Sequence, residues 1–401
     1  MFLFANEIIH HLRNSENFLN FAASNCVHSI YLSIMSYWFL VFSVLPLGGQ
    51  AYVMWRSYHI LPDIKWLRWG VVLLELAVFG LSFFAMSQLE DLSLGMATVL
   101  YEVGTSWFII LLYLFIAFLL LDIGRLVRLI PKHWLFDNAR SSILFTLVIV
   151  GIFVYGNLHY YDKYRQELTY TSPKITRPIK IVMMSDMHLG YHNSRADLKK
   201  WIGLVNAEEP DLVLIAGDML DGRIRPVREE KMHEEFKALR APVYACFGNH
   251  DFYTGKDEDR SFCELAGIRI LEDSVAYVGE IALVGRDDRT NRQRKSLDEI
   301  MEDIDRSKYI IELDHQPFNL EDAERCGVDL ELAGHTHDGQ VWPINWIVKG
   351  MYECSFGKWQ RGNTHYYISS GMGIWGPKFR IGTRSEYGVI EVKGDHRDHR
   401  E

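Results

Sequence analysis

Cysteine is scarce in this chain of 401 residues: there are five, Cys26, Cys246, Cys263, Cys326 and Cys354, and no two form a C-x-x-C pair. That spacing excludes a disulfide framework and a cysteine-based zinc site. Basic residues are also outnumbered, 42 Lys and Arg against 51 Asp and Glu, for a formal net charge of -9. No Lys/Arg stripe appears, so no nucleic-acid partner is expected. The first residues, 1–30, mix charge, His and Asn with apolar positions and lack the order of a signal peptide. They read as a tail or a weakly amphipathic helix, with Met35 a second candidate start. A further absence organises the rest. The segment 31–161 lacks the polar faces at helical spacing that a soluble bundle needs.

What that segment has instead is four apolar stretches, approximately 31–55, 66–88, 97–121 and 142–160. Each is near the roughly 20 residues that cross a bilayer. Tyr52, Trp55, Trp66, Trp69, Tyr160 and Tyr161 cluster near their ends, as membrane interfaces favour. Residues 31–161 are therefore expected to form a membrane domain of about four helices, inserted in a bilayer. Its first loop and edges carry Arg56, Lys65 and Arg68, and the third carries Arg125, Arg128, Lys132 and Arg140. The second loop has Glu90 and Asp91 but no Lys or Arg. The charge rule then puts loops one and three in the cytoplasm and everything after residue 160 outside it, with Lys163 and Arg165 pulling the other way. Glu75 lies mid-span, where a carboxyl is expected to be hydrogen-bonded within the bundle.

The second half reads as alternating strands and helices. A polar linker at 162–178, with Pro173 and Pro178, leads to a strand at 179–184, a helix at 196–206, a strand at 211–215, a helix at 231–239 and a strand at 241–247. That order implies an α/β layered core with parallel strands. Short strands follow near 268–271, 274–277, 281–284, 309–313, 328–333, 366–369 and 387–392, with a helix at 320–326 and a Gly-rich turn at 370–376. Residues 394–401, with His396 and His399, form a charged tail.

The strands end in chemistry. Ser185-Asp186-Met187-His188 follows the first, and alternation along a strand would aim Asp186 and His188 at one target. Asp218, Asn249 and His250, His315, then His335 and His337 follow later strands. Asp, Asn and His donors without Cys suit Mn, Fe or Zn held by mixed oxygen and nitrogen ligands. Asp218, in Gly-Asp-x-x-Asp-Gly, could bridge two ions with both carboxylate oxygens. Two ions roughly 3.5–4 Å apart clamp an attacking oxygen and polarise a phosphoryl group, and a histidine is the natural proton donor near neutral pH. His192, Asp221 and the pair Asp287-Asp288 read equally as supporting groups or as loop residues.

In order and spacing these blocks, SDMHLG, GDMLDG, GNHD, a lone His and GHTH, resemble the calcineurin-like metallophosphoesterase superfamily. The flanking text, with HQP and SSGMGIWGPKFRIG, is similar to its membrane-anchored YkuE-like bacterial branch. The resemblance covers approximately 179–392 and implies a four-layer sandwich, two mixed β-sheets flanked by helices, over a phosphoesterase domain at 179–393. It implies that Asp186, His188 and His337 bind one metal and that Asn249, His315 and His335 bind the second. Asp218 and a hydroxide would bridge them, manganese being the first choice of ion and iron or zinc the alternatives. His250 would stabilise the phosphoryl oxygens or protonate the leaving group, with Asp251 orienting it. One departure stands out: Asp338 occupies the place after G-H-T-H where that branch usually has Gly.

The expected activity is hydrolysis of a phosphate ester or phosphodiester by a protein anchored in a bacterial inner membrane, with a lipid among the candidate substrates. A lipid-linked pyrophosphate hydrolase of the UDP-diacylglucosamine type is the alternative, but it needs a cytoplasmic site. A silent metal-binding scaffold would leave a cluster of buried charges without use. A transporter would need polar paths through the spans, and only Glu75 offers one.

Overall fold

The computed structural model describes residues 44–87 and 89–395. The tail at 1–30, Cys26, Met35, most of the first apolar stretch and the charged tail with His396 and His399 lie outside them. The chain divides into two compact units. One comprises residues up to Phe84 together with Trp107–Ile149, and the other Ala85–Ser106 together with Val150 onward.

Three helices are long and apolar enough to cross a membrane: α1 (Lys65–Ser87), α2 (Leu94–Leu126) and α3 (Ala139–Tyr161). Residues 44–60 are also helical. Leu73, Leu74, Leu119, Leu120, Leu144 and Leu147 are exposed, so these helices turn apolar surface outward, as lipid requires. Inside the first unit, the Ser57 hydroxyl donates to Glu75 Oε1 at 2.6 Å, which gives the mid-span carboxyl the partner expected of it.

The second unit is a pair of facing sheets. The first has the strand order β1-β12-β2-β3-β4-β5 and the second β10-β11-β9-β8-β7-β6. The first comprises β1 (Lys163–Ser172), β2 (Ile179–Met184), β3 (Leu212–Ala216), β4 (Val243–Cys246), β5 (Arg269–Ile270) and β12 (Ser385–Gly394). The second comprises β6 (Ser274–Val278), β7 (Ile281–Gly285), β8 (Tyr309–Leu313), β9 (Leu330–Ala333), β10 (Gly357–Arg361) and β11 (Thr364–Ile368). Both sheets are mixed: β2-β3-β4 and β7-β8-β9 run parallel, while β12 on β2 and β6 on β7 are antiparallel.

Alternation explains the layers. In β2, Ile181 and Met183 face the second sheet with Leu212, Leu214, Ile311 and Leu332. Val182 and Met184 face the opposite way, onto Leu198, Trp201 and Val205 of helix α4 (Arg195–Ala207). A strand covered on both faces must be apolar at every position, and this is why β2 and β3 read as unbroken runs. On the outer face of the second sheet, Ala282, Val284 and Ile310 pack under Leu297, Ile300 and Leu320.

The linker expected at 162–178 is corrected. Ten of its residues, Lys163–Ser172, form β1, paired in parallel with β12 from Lys163↔Ser385 to Ser172↔Gly394. This is an edge strand, and Glu167, Thr169 and Thr171 are exposed while Leu168, Tyr170 and Ser172 are buried. The first sheet therefore takes in the chain from Lys163 rather than from residue 179.

Candidate metal centre

The alternation argument for Asp186 and His188 fails, although the two residues do converge. Strand β2 stops at Met184, and both residues lie past it with φ of 51° and 44°. Asp218 (51°), His335 (70°) and His337 (51°) share this left-handed conformation. Side chains other than glycine enter it at a cost of about 1–3 kcal/mol each, and such strain is typical of functional sites. The turns are held by backbone bonds between strand ends: Asp186 N–H to Gly217 O at 3.1 Å and His188 N–H to Asp218 O at 3.0 Å.

Two groups of donors form around the strand-end carboxylates, Asp186 with His188 and His337, and Asp218 with His315 and His335; a third, His188 with Asp221 and His250, shares His188 with the first. In the first, Asp186 Oδ1 stands 3.9 Å from His188 Nε2 and 3.5 Å from His337 Nε2. In the second, Asp218 Oδ2 is 3.1 Å from His315 Nε2, and Asn249 Oδ1 meets His335 Nδ1 at 2.8 Å. Asp218 Oδ2 also lies 3.6 Å from His188 Nε2, so this single oxygen stands between the groups. Its partner Oδ1 is occupied by the His250 N–H at 2.9 Å. The expectation that both oxygens face the site is thus corrected to one.

The residues fit divalent cations. His315 Nδ1 lies 2.7 Å from the Ala216 carbonyl, which fixes the proton there and leaves the buried Nε2 with its lone pair directed inward, toward Asp218 Oδ2. His188 Nε2 and His337 Nε2 face each other at 3.1 Å, an arrangement that a shared cation resolves. The backbone is cut close around the carboxylates. A Cβ at Gly334 would come within 2.3 Å of Asp186 Oδ2, and one at Gly248 within 2.1 Å of Asp218 Oδ1.

His250 lies at the rim, its side chain 12% exposed and its ring 4.5 Å from that of His188. Its orienting group is not Asp251. The Asp251 carboxylate accepts four backbone N–H groups: Gly248 (2.7 Å) and Asp218 (3.0 Å) on Oδ2, Met219 (3.1 Å) and Leu220 (3.2 Å) on Oδ1. It shapes the turn that carries Asp218. The carboxylate facing His250 belongs to Asp221, whose Oδ1 is 3.2 Å from His250 Nδ1 and 3.2 Å from His188 Nδ1. Burial lowers the His250 pKa, but Asp218 and Asp221 outweigh it and the net shift is upward.

Sequence reasoning undervalued Asp221, although its place three residues after Asp218 was a usable signal. It missed Arg380 altogether. This buried guanidinium donates to the carbonyls of His337 (2.6 Å) and Ser370 (2.5 Å), tying the 370–376 turn to a metal-facing histidine. The turn itself lies against Asp186: Met372 N–H reaches Ser185 O at 2.9 Å and Gly373 N–H reaches Asp186 O at 3.0 Å. Asp287 and Asp288 are structural, bonded to Lys256 at 2.6 Å and Gln316 at 2.9 Å. His192 is buried, its Nε2 2.5 Å from Ile374 O, and burial brings its pKa down to about 4. Asp338 also has positive φ (50°), and its buried Oδ1 has no partner.

The calcineurin-like phosphoesterase family matches residues 179–339. A metallophosphoesterase of Aquifex aeolicus is 30% identical over 273 residues, covering 63% of this chain and 99% of that protein. The chain belongs to this family. A Campylobacter jejuni metallophosphoesterase is 33% identical over 230 residues, 55% of this chain; the alignment spans 61% of that relative's length. A Danio rerio transmembrane protein with a metallophosphoesterase domain is 28% identical over 398 residues, covering 88% of this chain and 89% of that protein.

Proposed function

We propose that this family member is a membrane-anchored, two-metal phosphoesterase that hydrolyses a phosphate ester or phosphodiester. The observation that carries the reading is the single Asp218 oxygen set between two groups of inward-facing donors, with a protonatable imidazole at the rim. Asp186, His188 and His337 would hold one cation, and Asn249, His315 and His335 the other, with Asp218 common to both. Bound there, two divalent ions of the Mn, Fe or Zn type would acidify a water and polarise the phosphoryl group. The residues supply the remainder. Asp221 holds His250 with Nδ1 toward the carboxylate, so that Nε2 can carry the proton needed by the departing oxygen.

The loop between α1 and α2 supports a non-cytoplasmic phosphoesterase domain. It contains Glu90 and Asp91 and no Lys or Arg, and it belongs to the same compact unit as the phosphoesterase domain. That orientation would disfavour the UDP-diacylglucosamine type of substrate. A reporter fused after residue 395 reads it directly.

The enzymatic reading is tested with the full chain in detergent, loaded with Mn²⁺ and offered an aryl phosphodiester, a phosphomonoester and lipid phosphates. His250→Ala should keep its metal and lose roughly 100-fold or more in turnover. Asp218→Ala should lose metal as well. Unchanged metal content in Asp218→Ala contradicts the bridging role, and absence of hydrolysis with metals bound contradicts the enzyme.

A further inference from the structure

The catalytic constellation contains a group from outside the family domain. Residues Ala85–Ser106, the loop and first turns of α2, belong to the phosphoesterase unit. From that segment the Tyr101 hydroxyl donates to Asp221 Oδ2 at 2.8 Å. Its ring stacks on His192, with centroids 5.4 Å apart and planes at 24°.

The acceptor inventory shows why this bond matters. Asp221 Oδ1 is committed to the Nδ1 atoms of His188 and His250. Among the described residues, Oδ2 has two polar contacts, Tyr101 and, at 3.5 Å, His192 Nδ1. His192 gives its proton to Ile374 O through Nε2, so its Nδ1 has none to offer a carboxylate. Tyr101 is therefore the donor that fixes the outer oxygen of Asp221, and a carboxylate fixed at both oxygens cannot rotate away from His250. The next residues tie the same segment down. Arg223 donates to Met86 O (2.7 Å), and Arg225 donates to Glu90 O (2.7 Å) and Leu92 O (2.7 Å). The Asp221 turn and the membrane loop are thus held as one piece.

We propose that Tyr101, carried on a membrane helix, is a positioning residue of the phosphoesterase site: it fixes Asp221 and, through it, the imidazole of His250. The inference rests on the hydrolase reading above. It gives the membrane segment a role beyond anchorage, because the domain without that segment lacks a donor its proton-carrying histidine depends on.

The test uses the full chain in detergent with Mn²⁺ and two phosphodiesters, a nitrophenyl ester with a good leaving group and a phenyl ester with a poor one. Tyr101→Phe keeps the ring on His192 and removes only the hydroxyl. Because it acts through a proton donor, kcat should fall about tenfold for the phenyl ester and much less for the nitrophenyl ester, with KM and metal content unchanged. In a His250→Ala background the same substitution should add nothing. An equal loss with both esters, an additive loss on His250→Ala, no loss at all, or loss of metal or of fold overturns the proposal. A wild-type protein that, with metals bound, cleaves neither these diesters nor the nitrophenyl and phenyl phosphomonoesters nor lipid phosphates overturns the hydrolase reading itself, and the positioning role with it; where only monoesters are cleaved, the same comparison is read on that pair. An active wild type with any of the preceding results overturns the positioning role alone.

Discussion

Asp251→Asn separates a structural carboxylate from a catalytic one. The native side chain accepts four backbone N–H groups, two on each oxygen, from the ends of two adjacent loops. Asparagine keeps one carbonyl oxygen and turns an NH₂ toward the other pair. Two buried N–H groups then lose their acceptor and meet donors. Each orphan costs about 1–3 kcal/mol, and removing a charge that repels Asp218 returns part of it. The net loss should be about 2–4 kcal/mol, several times the effect of an ordinary surface substitution. Thermal denaturation of the metal-free full chain is the assay, because bound metal would mask the difference by mass action. A melting temperature lower by roughly 5–15 °C is expected. Metal binding should weaken too, since the shaped turn carries Asp218. If Asp251→Asn stays within about 0.5 kcal/mol of wild type yet loses most of its turnover, the carboxylate acts on His250 and the reasoning is wrong.

Two further substitutions test the ground beneath the site. Asp259 is buried against Asp251, and burial, followed by that neighbouring charge, pushes its pKa up to about 11. The folded protein therefore holds a proton that the unfolded chain releases near pH 4, so this group's contribution falls as pH rises from about 4 through the alkaline range. Asp259→Asn should match wild type near pH 4 and become progressively more stable than it toward pH 9; a gap that closes with rising pH would refute the assignment. Gly334→Ala would place a Cβ 2.3 Å from Asp186 Oδ2 and 2.8 Å from Ser185 Cβ. Strand β2 and the core below should survive, while metal affinity, read by equilibrium dialysis, falls at least about tenfold; undiminished affinity would show that the strand ends can part freely.

The parts of this molecule that could be read from its residues are those whose physics is local. Buried parallel strands must be apolar throughout, so β2, β3 and β8 announced themselves, and the polar residues at their ends pointed to one place. The convergence was right for Asp186 and His188, but its reason was not. Both are aimed by left-handed turns past the strand, and no periodicity encodes those. Strand β1 escaped notice because an edge strand can be polar on its open side, and its few buried residues resemble a linker. Asp251 was misread because adjacency to His250 in sequence suggested contact, whereas successive residues of the short helix Asn249–Thr254 point to different neighbours.

The largest gap between sequence and site is one of distance along the chain. Tyr101 and Asp221 are 120 residues apart, and Tyr101 lies in a helix whose composition speaks only of lipid. An apolar run gives no hint which of its few polar atoms has a partner. Only the fold shows that Asp221 has an oxygen in need of a donor and that a membrane helix supplies it. The same logic bears on Arg380, whose guanidinium meets four groups scattered from His337 to Ser385. The metal-facing side chains could be found by type and order because any divalent centre needs them. The groups that aim those side chains are set by the packing of this particular chain, as the Tyr101 hydroxyl on Asp221 illustrates.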